Sequence, residues 1–245
     1  MGARTAPFKL FNDDCININK YCRGSNFDLI YLDPPFGTGN RQNLGKHSYD
    51  DCAVGAEYLD FITTRLSKVL NYLSPRGTLL IHLDRHYVYE IKNAVEELGM
   101  PFRGDIIWAY RRWASNVDAL QSNHDTILVF SKNDALKKSR AIFSQSIVAP
   151  SSKERIGYPT QKPLALLKRV ISHIDRYSRS STVLDPFMGS GTTLAAALSL
   201  GKHAAGFDIS RNAVRIVETR LKEIVKSETG KSKARQIQRG YEIET

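Results

Sequence analysis

Cysteine and long apolar runs are both scarce in this chain of 245 residues. Its three cysteines, Cys15, Cys22 and Cys52, show neither a Cys-x-x-Cys pair nor a companion histidine spacing, so they indicate neither a disulfide framework nor a zinc site. No apolar run approaches the roughly 18 residues that a membrane-spanning helix needs, and the N-terminus lacks a signal-peptide pattern. We therefore expect a cytoplasmic protein without a metal site and without a membrane partner.

Basic residues outnumber acidic ones in the chain. There are 35 Lys and Arg against 25 Asp and Glu, which gives a net charge of +10 and a pI near 9.5. Such a balance favours a polyanionic partner. Half of the excess lies in residues 220–239, so the basic tail, residues 226–245, is interpreted either as a solvated helical end or as a contact for a nucleic acid backbone.

Strand-like runs alternate with amphipathic stretches along the chain. Apolar spacing typical of helices occurs in residues 58–73 and 164–174. Because this alternation favours a doubly wound, mostly parallel sheet, we predict a single α/β domain over residues 1–245. The strand-like runs are residues 8–11, 27–32, 78–83, 105–110, 126–130, 182–184 and 204–207.

Two segments do not fit that alternation. Residues 37–56 are polar, rich in Gly, Asn and Asp, and too long for an ordinary connection, which predicts a functional or disordered loop. Residues 133–157 are basic and also contain Ile142, Phe143 and Val148, which predict a small packed insert. His47, His82 and His86 are interpreted as plain polar residues on loops or strand ends.

A glycine-rich turn, Asp185-Pro-Phe-Met-Gly-Ser-Gly-Thr-Thr193, follows the strand predicted at 182–184 and opens a helix near Thr192. It lacks the Gly-Lys-Ser/Thr ending of a nucleoside-triphosphate loop, but its glycines let backbone amides approach a nucleotide-like ligand. Asp208 ends the next strand, where a carboxylate can accept hydrogen bonds from ribose hydroxyls. A helix-capping turn followed by an unrelated strand-terminal Asp is the alternative interpretation.

The tetrapeptide Asp33-Pro34-Pro35-Phe36 follows another predicted strand. Two prolines stiffen the backbone and remove two amide donors. The Asp33 carboxylate and the Pro34 carbonyl can both accept from an exocyclic amine and aim its lone pair at a methylsulfonium, while Phe36 stacks on the base. A rigid turn after a strand is the alternative. Together the two motifs match methyl transfer from S-adenosylmethionine to an amino group of a DNA base.

With these two motifs, the chain resembles the beta-group amino-methyltransferases of DNA, which are bacterial and phage enzymes that modify adenine at N6 or cytosine at N4. The resemblance covers nearly the whole chain. Besides the two motifs above, it is carried by Asn12-Asp-Asp-Cys15, Gly77-Thr-Leu-Leu-Ile-His-Leu-Asp84, Asp105-Ile-Ile-Trp108, Asn123-His-Asp-Thr-Ile-Leu-Val-Phe-Ser-Lys132 and Tyr158-Pro-Thr-Gln-Lys-Pro163.

The resemblance implies a Rossmann-like, seven-stranded methyltransferase sheet in a circularly rearranged order, with the catalytic half first and the cofactor half last. It implies S-adenosylmethionine as cofactor and double-stranded DNA as partner. It also allows a restriction endonuclease of the same system as a further partner. The implied catalytic residues are Asp33, Pro34, Pro35 and Phe36. The implied cofactor-binding residues are Asp14, Cys15, Asp33, Lys162, Asp185, Phe187, Gly189, Ser190, Gly191, Thr192, Thr193 and Asp208.

DNA recognition is expected from residues 37–56 and 133–157, since a chain of this size has little room for a separate recognition domain. The predicted DNA contacts are Arg41, Lys46, Arg111, Arg112, Lys137, Lys138 and Arg140. Asp as the first residue of the tetrapeptide favours adenine N6. Cytosine N4, RNA adenine and a non-catalytic DNA-binding regulator remain alternatives. We also expect a homodimer, with an interface of apolar residues around 87–102.

Overall fold

The computed structural model describes residues 7–39, 41–44, 47–50, 54–110, 123–132, 141–158, 160–174, 181–231 and 242–244, with side chains outside 41–50, 228–231 and 242–244. Its strands are β1 (Phe8–Phe11), β2 (Phe27–Leu32), β3 (Arg41–Leu44), β4 (His47–Asp50), β5 (Leu73–Leu83), β6 (Phe102–Ala109), β7 (His124–Ser131), β8 (Ile142–Ser144), β9 (Thr182–Asp185), β10 (His203–Phe207) and β11 (Glu242–Glu244). Its α-helices are α1 (Ile18–Tyr21), α2 (Gly55–Val69), α3 (Val88–Glu97), α4 (Leu164–Ile174), α5 (Thr192–Ser199) and α6 (Arg211–Lys231).

Nine of these strands form one sheet in the order β11-β1-β10-β9-β2-β5-β7-β6-β8. Neighbours pair in parallel except at β7, which is antiparallel to both β5 and β6. The predicted mostly parallel α/β sheet is therefore confirmed, and all seven predicted strands are present. The short strands β8 and β11 extend it at its two ends. The circular rearrangement stays a prediction.

Both faces of the sheet are covered by helices. Because successive side chains of a strand point to opposite faces, Leu29 and Tyr31 of β2 join one apolar cluster, whereas Ile30 and Leu32 join the other. The first cluster contains residues of α4, α5 and α6, and the second contains residues of α2 and α3. In the part of the chain that the structure describes, no helix is long and apolar enough to cross a membrane.

The structure corrects the predicted boundary between α2 and β5. The helix predicted for residues 58–73 ends at Val69 and continues as a 3₁₀ turn, Leu70–Tyr72, and the strand predicted to start at 78 starts at Leu73. Pro75 and Gly77 are typical of a turn, yet here they lie within the strand. The register with β2 shifts between Phe27 and Leu29, so no regular ladder requires an amide from Pro75.

The two segments that did not fit the alternation are partly ordered. Residues 37–56 include an antiparallel hairpin of β3 and β4, so the predicted loop contains regular structure. Residues 133–157 include β8, which pairs in parallel with β6. Phe143 of β8 is buried in the cluster that contains α4, and the described part of this segment therefore packs on the main domain as a sheet edge.

The predicted dimer surface, residues 87–102, contains both buried and exposed side chains. Within residues 87–102, Ile91 and Val95 of α3 are fully buried in the chain's own core, while Tyr89 and Leu98 are exposed. The buried face of α3 packs in the cluster that contains α2 and the sheet, and an interface of the apolar residues in this range stays a prediction. The basic tail begins within α6, and its residues 242–244 form β11 beside β1.

Candidate active site

Four carboxylates follow four neighbouring parallel strands at one edge of the sheet. Asp14, Asp208, Asp185 and Asp33 lie at or just beyond the carboxyl ends of β1, β10, β9 and β2. Parallel strands bring their carboxyl ends to one edge, which is where ligands bind in open α/β sheets. A cavity of about 630 Å³ is found there, and all four carboxylates line it.

The glycine-rich turn forms the wall of this cavity between β9 and α5. The Gly189 amide donates to one carboxylate oxygen of Asp208 at 3.0 Å, and the Ser210 amide donates to the other at 2.8 Å. Gly191 precedes α5 in the left-handed conformation, with φ of 69°. A Cβ on Gly191 would lie 2.6 Å from a methyl carbon of Val217, so the turn packs against α6 without space for a side chain.

Burial changes the ionisation of two carboxylates in the cavity. Burial raises the pKa of Asp185 to about 7, against hydrogen bonds from Thr193 and the Phe187 amide that act to lower it. Burial likewise raises the pKa of Asp208 to about 6. The negative charges of Asp33 and Asp208 add to the effect at Asp185. Both groups therefore exchange protons close to neutral pH.

The loop after β1 is held by its own acidic residues. Asp13 accepts hydrogen bonds from the side chains of Asn17 and Tyr21, at 2.9 Å each, and the first of these contributes most to lowering its pKa. Asp14 accepts from Arg65 of α2 through two nitrogens, at 3.0 and 2.5 Å. The loop is thereby tied to α2 through Asp14, and Asp13 holds the loop's own shape while also lining the cavity.

The outer wall of the cavity comes from α2 and was not predicted. The Arg65 guanidinium lies 3.6 Å from the ring centroid of Phe61, and that ring lies 6.2 Å from the ring of Phe187. All three residues line the cavity. In the sequence, Phe61 and Arg65 belong to an ordinary amphipathic helix, and no pattern within α2 distinguishes them.

The tetrapeptide at the end of β2 is anchored by contacts with Tyr58 of α2. The Tyr58 hydroxyl donates to the Pro35 carbonyl at 2.6 Å, so this carbonyl anchors the motif to α2. Gly37 follows with φ of 67°, and a Cβ there would meet the ring of Tyr58 at 2.7 Å. This packing presents Asp33 and Phe36 to the cavity.

Lys162 bridges the two halves of the site. Its Nζ donates to both carboxylate oxygens of Asp33 at 2.6 Å and lies 5.0 Å from the ring centroid of Phe36. Lys162 was predicted as a cofactor residue, and it does line the cavity. The contact with Asp33 joins residues 129 positions apart, which no local pattern could indicate.

A buried polar network lies beneath the tetrapeptide, and it corrects the interpretation of His82. His82 is fully buried on β5, with its Nδ1 2.6 Å from the Tyr31 hydroxyl and its Nε2 3.0 Å from Asp125. The Tyr110 hydroxyl donates to the other oxygen of Asp125 at 2.7 Å. Although burial acts in the opposite sense, hydrogen bonds from His82 and Tyr110 lower the pKa of Asp125. The ring of Phe36 lies 6.3 Å from that of His82, so the network lies next to the part of the cavity that Phe36 lines.

The predicted DNA contacts fall largely outside the described residues. Arg41 lies on β3, whose backbone alone is described. Trp108, beside the predicted pair at 111 and 112, is a core residue whose Nε1 donates to the Gln145 carbonyl. The remaining predicted contacts lie outside the described residues: Lys46, Arg111, Arg112, Lys137, Lys138 and Arg140.

Comparison with known proteins agrees with this site. Residues 27–219 match the sequence model of the N6/N4 family described as DNA methylase. The chain belongs to this family of DNA amino-methyltransferases. It is 30% identical over 239 residues to the type II methyltransferase M.HpaI of Haemophilus parainfluenzae, covering 87% of this chain and 74% of that one. It is 28% identical over 241 residues to M2.LlaDCHI of Lactococcus lactis subsp. cremoris, covering 86% and 88%.

Solved structures support the same fold. The complex of M1.HpyAVI with S-adenosylmethionine matches with a TM-score of 0.69 and 22% identity, over 87% of this chain and 98% of that one. The cytosine-N4-specific PvuII DNA methyltransferase matches with a TM-score of 0.68 and 14% identity, over 91% and 94%.

S-adenosylmethionine is the cofactor of this methyltransferase, and the described residues fit it. The cofactor carries a sulfonium and an ammonium group, and the cavity is lined by five aspartates against two cationic side chains, Arg65 and Lys162. The glycine turn leaves backbone amides close to the cavity, and Asp208 lies where a ribose would be held. The predicted cofactor residues line this cavity except Gly191, which belongs to the turn and where an added Cβ would meet Val217.

Cofactor affinity should depend on pH through Asp185 and Asp208. Because a positively charged ligand and its ribose hydroxyls favour the ionised carboxylates, we expect the affinity for S-adenosylmethionine to rise by about tenfold or more between about pH 5 and about pH 8. Titration calorimetry across this range measures it. Asp208→Asn removes one of the two groups and should flatten the lower part of the curve. A parent affinity that is constant with pH would contradict the assignment.

The ligand-free protein should show the opposite trend. Both carboxylates have a pKa raised above the ordinary aspartate value, so the stability they contribute is fully present at low pH and is lost as the pH rises through about 6 to 7. We therefore expect the rise in Tm on adding S-adenosylmethionine to become larger as the pH increases over the range in which the ligand-free protein loses this stability. Thermal unfolding with and without cofactor provides the comparison.

Proposed function

We propose that this chain is a site-specific DNA methyltransferase that transfers a methyl group to N6 of adenine in duplex DNA. One observation carries the proposal: the Asp33 carboxylate and the Phe36 ring line the same cavity as the glycine turn of β9. A hydrogen-bond acceptor, a stacking surface and a cofactor wall are therefore held together on adjacent parallel strands.

The chemistry needs an activated amine and no covalent enzyme intermediate. When bound, S-adenosylmethionine supplies a methyl group on a sulfonium, which is already a strong electrophile. The exocyclic amine of adenine is a poor nucleophile, because its lone pair is conjugated with the ring. Asp33 accepts a hydrogen bond from this amine and, with the Pro34 carbonyl, favours a pyramidal nitrogen whose lone pair is aimed at the methyl group. The nitrogen gains the methyl group as the sulfur–methyl bond breaks, the sulfur keeps the electron pair and S-adenosylhomocysteine is released, and the nitrogen loses one proton to solvent.

The base must leave the helix to reach Asp33. The cavity lies at an edge of the sheet, and an amine paired inside a duplex is out of its reach, so the target base is rotated out and stacked on Phe36. We assign recognition of the surrounding sequence to residues 37–56 and 133–157, with backbone contacts from their basic residues and from Arg111 and Arg112.

Specificity for adenine rests on Asp as the first residue of the tetrapeptide. The direct test is to incubate the purified chain with duplex DNA and S-adenosylmethionine, digest the product and identify the nucleosides. We expect N6-methyladenine. Recovery of N4-methylcytosine would identify the alternative base, and modification of RNA in competition with duplex DNA would identify the alternative polymer. A chain that binds DNA and modifies neither would be a regulator.

Phe36 should act through its ring. Phe36→Ala is expected to reduce kcat/KM by about 10-fold to 100-fold, because stacking of a base on an aromatic side chain stabilises it by about 1–3 kcal/mol, while Phe36→Trp should retain most of the activity. Steady-state methylation of a short duplex measures both. The control is thermal unfolding of each variant, and equal losses in the two variants would indicate a packing role.

We also propose that the chain acts as a homodimer, because two copies would enlarge the surface available to grip a duplex, and that it serves a restriction system alongside an endonuclease. Light scattering at micromolar concentration should give twice the 27.6 kDa mass of one chain. A mass of one chain with full activity at the same concentration would show that a single copy suffices.

A further inference from the structure

The ammonium of Lys162 contacts both side chains that the proposed function assigns to the target base. It donates to the two oxygens of Asp33 and lies 5.0 Å from the centre of the Phe36 ring. The side chains of Lys162 and Asp33 are 9% and 20% exposed. An ion pair this far from solvent is weakly screened, so its geometry and charge act strongly on the carboxylate.

A tied segment before α4 holds Lys162 in place. We call residues 154–158 and 160–164 the strap. Within it, the Gln161 side chain accepts from the Ile156 amide at 3.0 Å and donates to the Glu154 carbonyl at 2.8 Å. The Glu154 carboxylate accepts from the Leu164 amide at 2.6 Å. These hydrogen bonds join the start of the strap to Gln161 and Leu164, on either side of Lys162.

The strap also contains a strained residue. Thr160 has φ of 54°, although a branched side chain disfavours the left-handed region, and it lines the cavity. Such a conformation persists where the surrounding contacts enforce it, and it is typical of functional sites. The strained residue lies two positions before Lys162, so the backbone that delivers the ammonium to Asp33 is itself under constraint.

Asp33 lies close to other carboxylates, whose negative charges repel its own. Asp185 on β9 interacts with it unfavourably, and Asp208 adds to the acidic field at Asp185. Burial raises the pKa of the Tyr31 hydroxyl, and the negative charges of Asp33, Asp185 and Asp125 raise it further. The ammonium of Lys162, within hydrogen-bond distance of both Asp33 oxygens, supplies a positive charge in this acidic surrounding.

We propose that Lys162 is a positioning residue that offsets the negative charges around Asp33 and orients its carboxylate for the target amine. Each carboxylate oxygen has two lone pairs, so an oxygen that accepts from Lys162 can still accept from the base. Lys162 therefore acts on the amine through Asp33, in addition to its place in the cofactor cavity. This inference rests on the proposed function.

The test compares Lys162→Met with Lys162→Arg, which removes or retains the positive charge. In Lys162→Met we expect kcat at about pH 6 to fall by about tenfold or more, with recovery to within about threefold of the parent near about pH 8.5. The acid limb of the rate profile thus moves to higher pH. In Lys162→Arg the limb should stay within about half a pH unit of the parent, because the guanidinium keeps the charge.

A second readout does not depend on catalysis. Thermal unfolding of the parent, Asp33→Asn, Lys162→Met and the double variant forms a cycle, in which the double variant should lose less stability than the two single variants together. Affinity for S-adenosylmethionine, measured by calorimetry, reports separately on the contribution that Lys162 makes from its place in the cofactor cavity. If Lys162→Met is too unstable to assay, Lys162→Gln replaces it.

The outcomes separate this inference from the proposed function. A parent that methylates no DNA in this assay contradicts the proposed function. An active parent with an equal loss in Lys162→Met at every pH, or with a weakened cofactor and an unmoved profile, overturns the role of Lys162 alone. An increase of kcat/KM for DNA in Lys162→Met would also overturn it, because it would mean that the ammonium competes with the base. Additive losses in the unfolding cycle would overturn the coupling.

Discussion

Asp33→Ala should reduce kcat by about a thousandfold or more, because removal of a preorganised hydrogen-bond acceptor at the reacting amine costs several kcal/mol of transition-state stabilisation. The affinity for S-adenosylmethionine should change far less than kcat, since Asp14, Asp185 and Asp208 remain in the cavity. Single-turnover methylation of a short duplex measures the chemical step without interference from product release.

Asp33→Asn is the matched control for this change. It keeps the shape of the side chain and one acceptor oxygen but loses the charge that pairs with Lys162. We expect it to be nearly as inactive as the alanine variant and to remain folded, with the modest loss of stability that follows from breaking the ion pair with Lys162. Activity within about threefold of the parent in either variant would show that Asp33 has no catalytic role.

Gly191→Ala should abolish measurable cofactor binding. The added Cβ would lie 2.6 and 2.8 Å from the two methyl carbons of Val217, and φ of 69° is already unfavourable for alanine. Either the turn or α6 must move, and a displacement of about 1 Å in the turn is enough to misplace its amides. We expect the affinity for S-adenosylmethionine to fall by about a hundredfold or more, measured by calorimetry.

Gly24→Ala is a control that introduces the same backbone strain without a steric clash. Gly24 has φ of 72°, close to that of Gly191, but nothing lies within 4 Å of an added Cβ. This variant should lose some stability and keep full cofactor affinity. The double variant Gly191→Ala with Val217→Ala removes the opposing methyl groups and should recover part of the binding. Equal losses in Gly24→Ala and Gly191→Ala would exclude the clash as the cause.

The sequence predicted the parts of the site that are encoded locally. Asp33, Asp185 and Asp208 were identified because each follows an apolar strand, and the sheet then brings parallel strand ends together. The glycine turn was identified from its spacing, although the sequence did not distinguish Gly189, which lines the cavity, from Gly191, which packs on α6. That distinction depends on Val217, which lies 26 positions further along the chain.

What the sequence did not predict depends on contacts between distant elements. Arg65 and Phe61 lie on a helix whose apolar period is explained by burial alone, so their position beside the cavity has no local signal. His82 was interpreted as an ordinary polar residue, since its partners Tyr31 and Asp125 come from β2 and β7. The short strands β8 and β11 have three residues each, too few for a period of two to be recognised.

The strand order has a consequence for how the protein is made. β1 and β2 are consecutive in the chain, yet β10 and β9 lie between them in the sheet. A nascent chain that ends at α4 can pair β2 with β5, but β1 has no partner until β10 has left the ribosome. Parallel pairing across so long a separation is slow, because the intervening loop must close first. The loop that carries Asp14 is therefore among the last parts to reach its place, and the cofactor cavity is completed only when β1 joins β10.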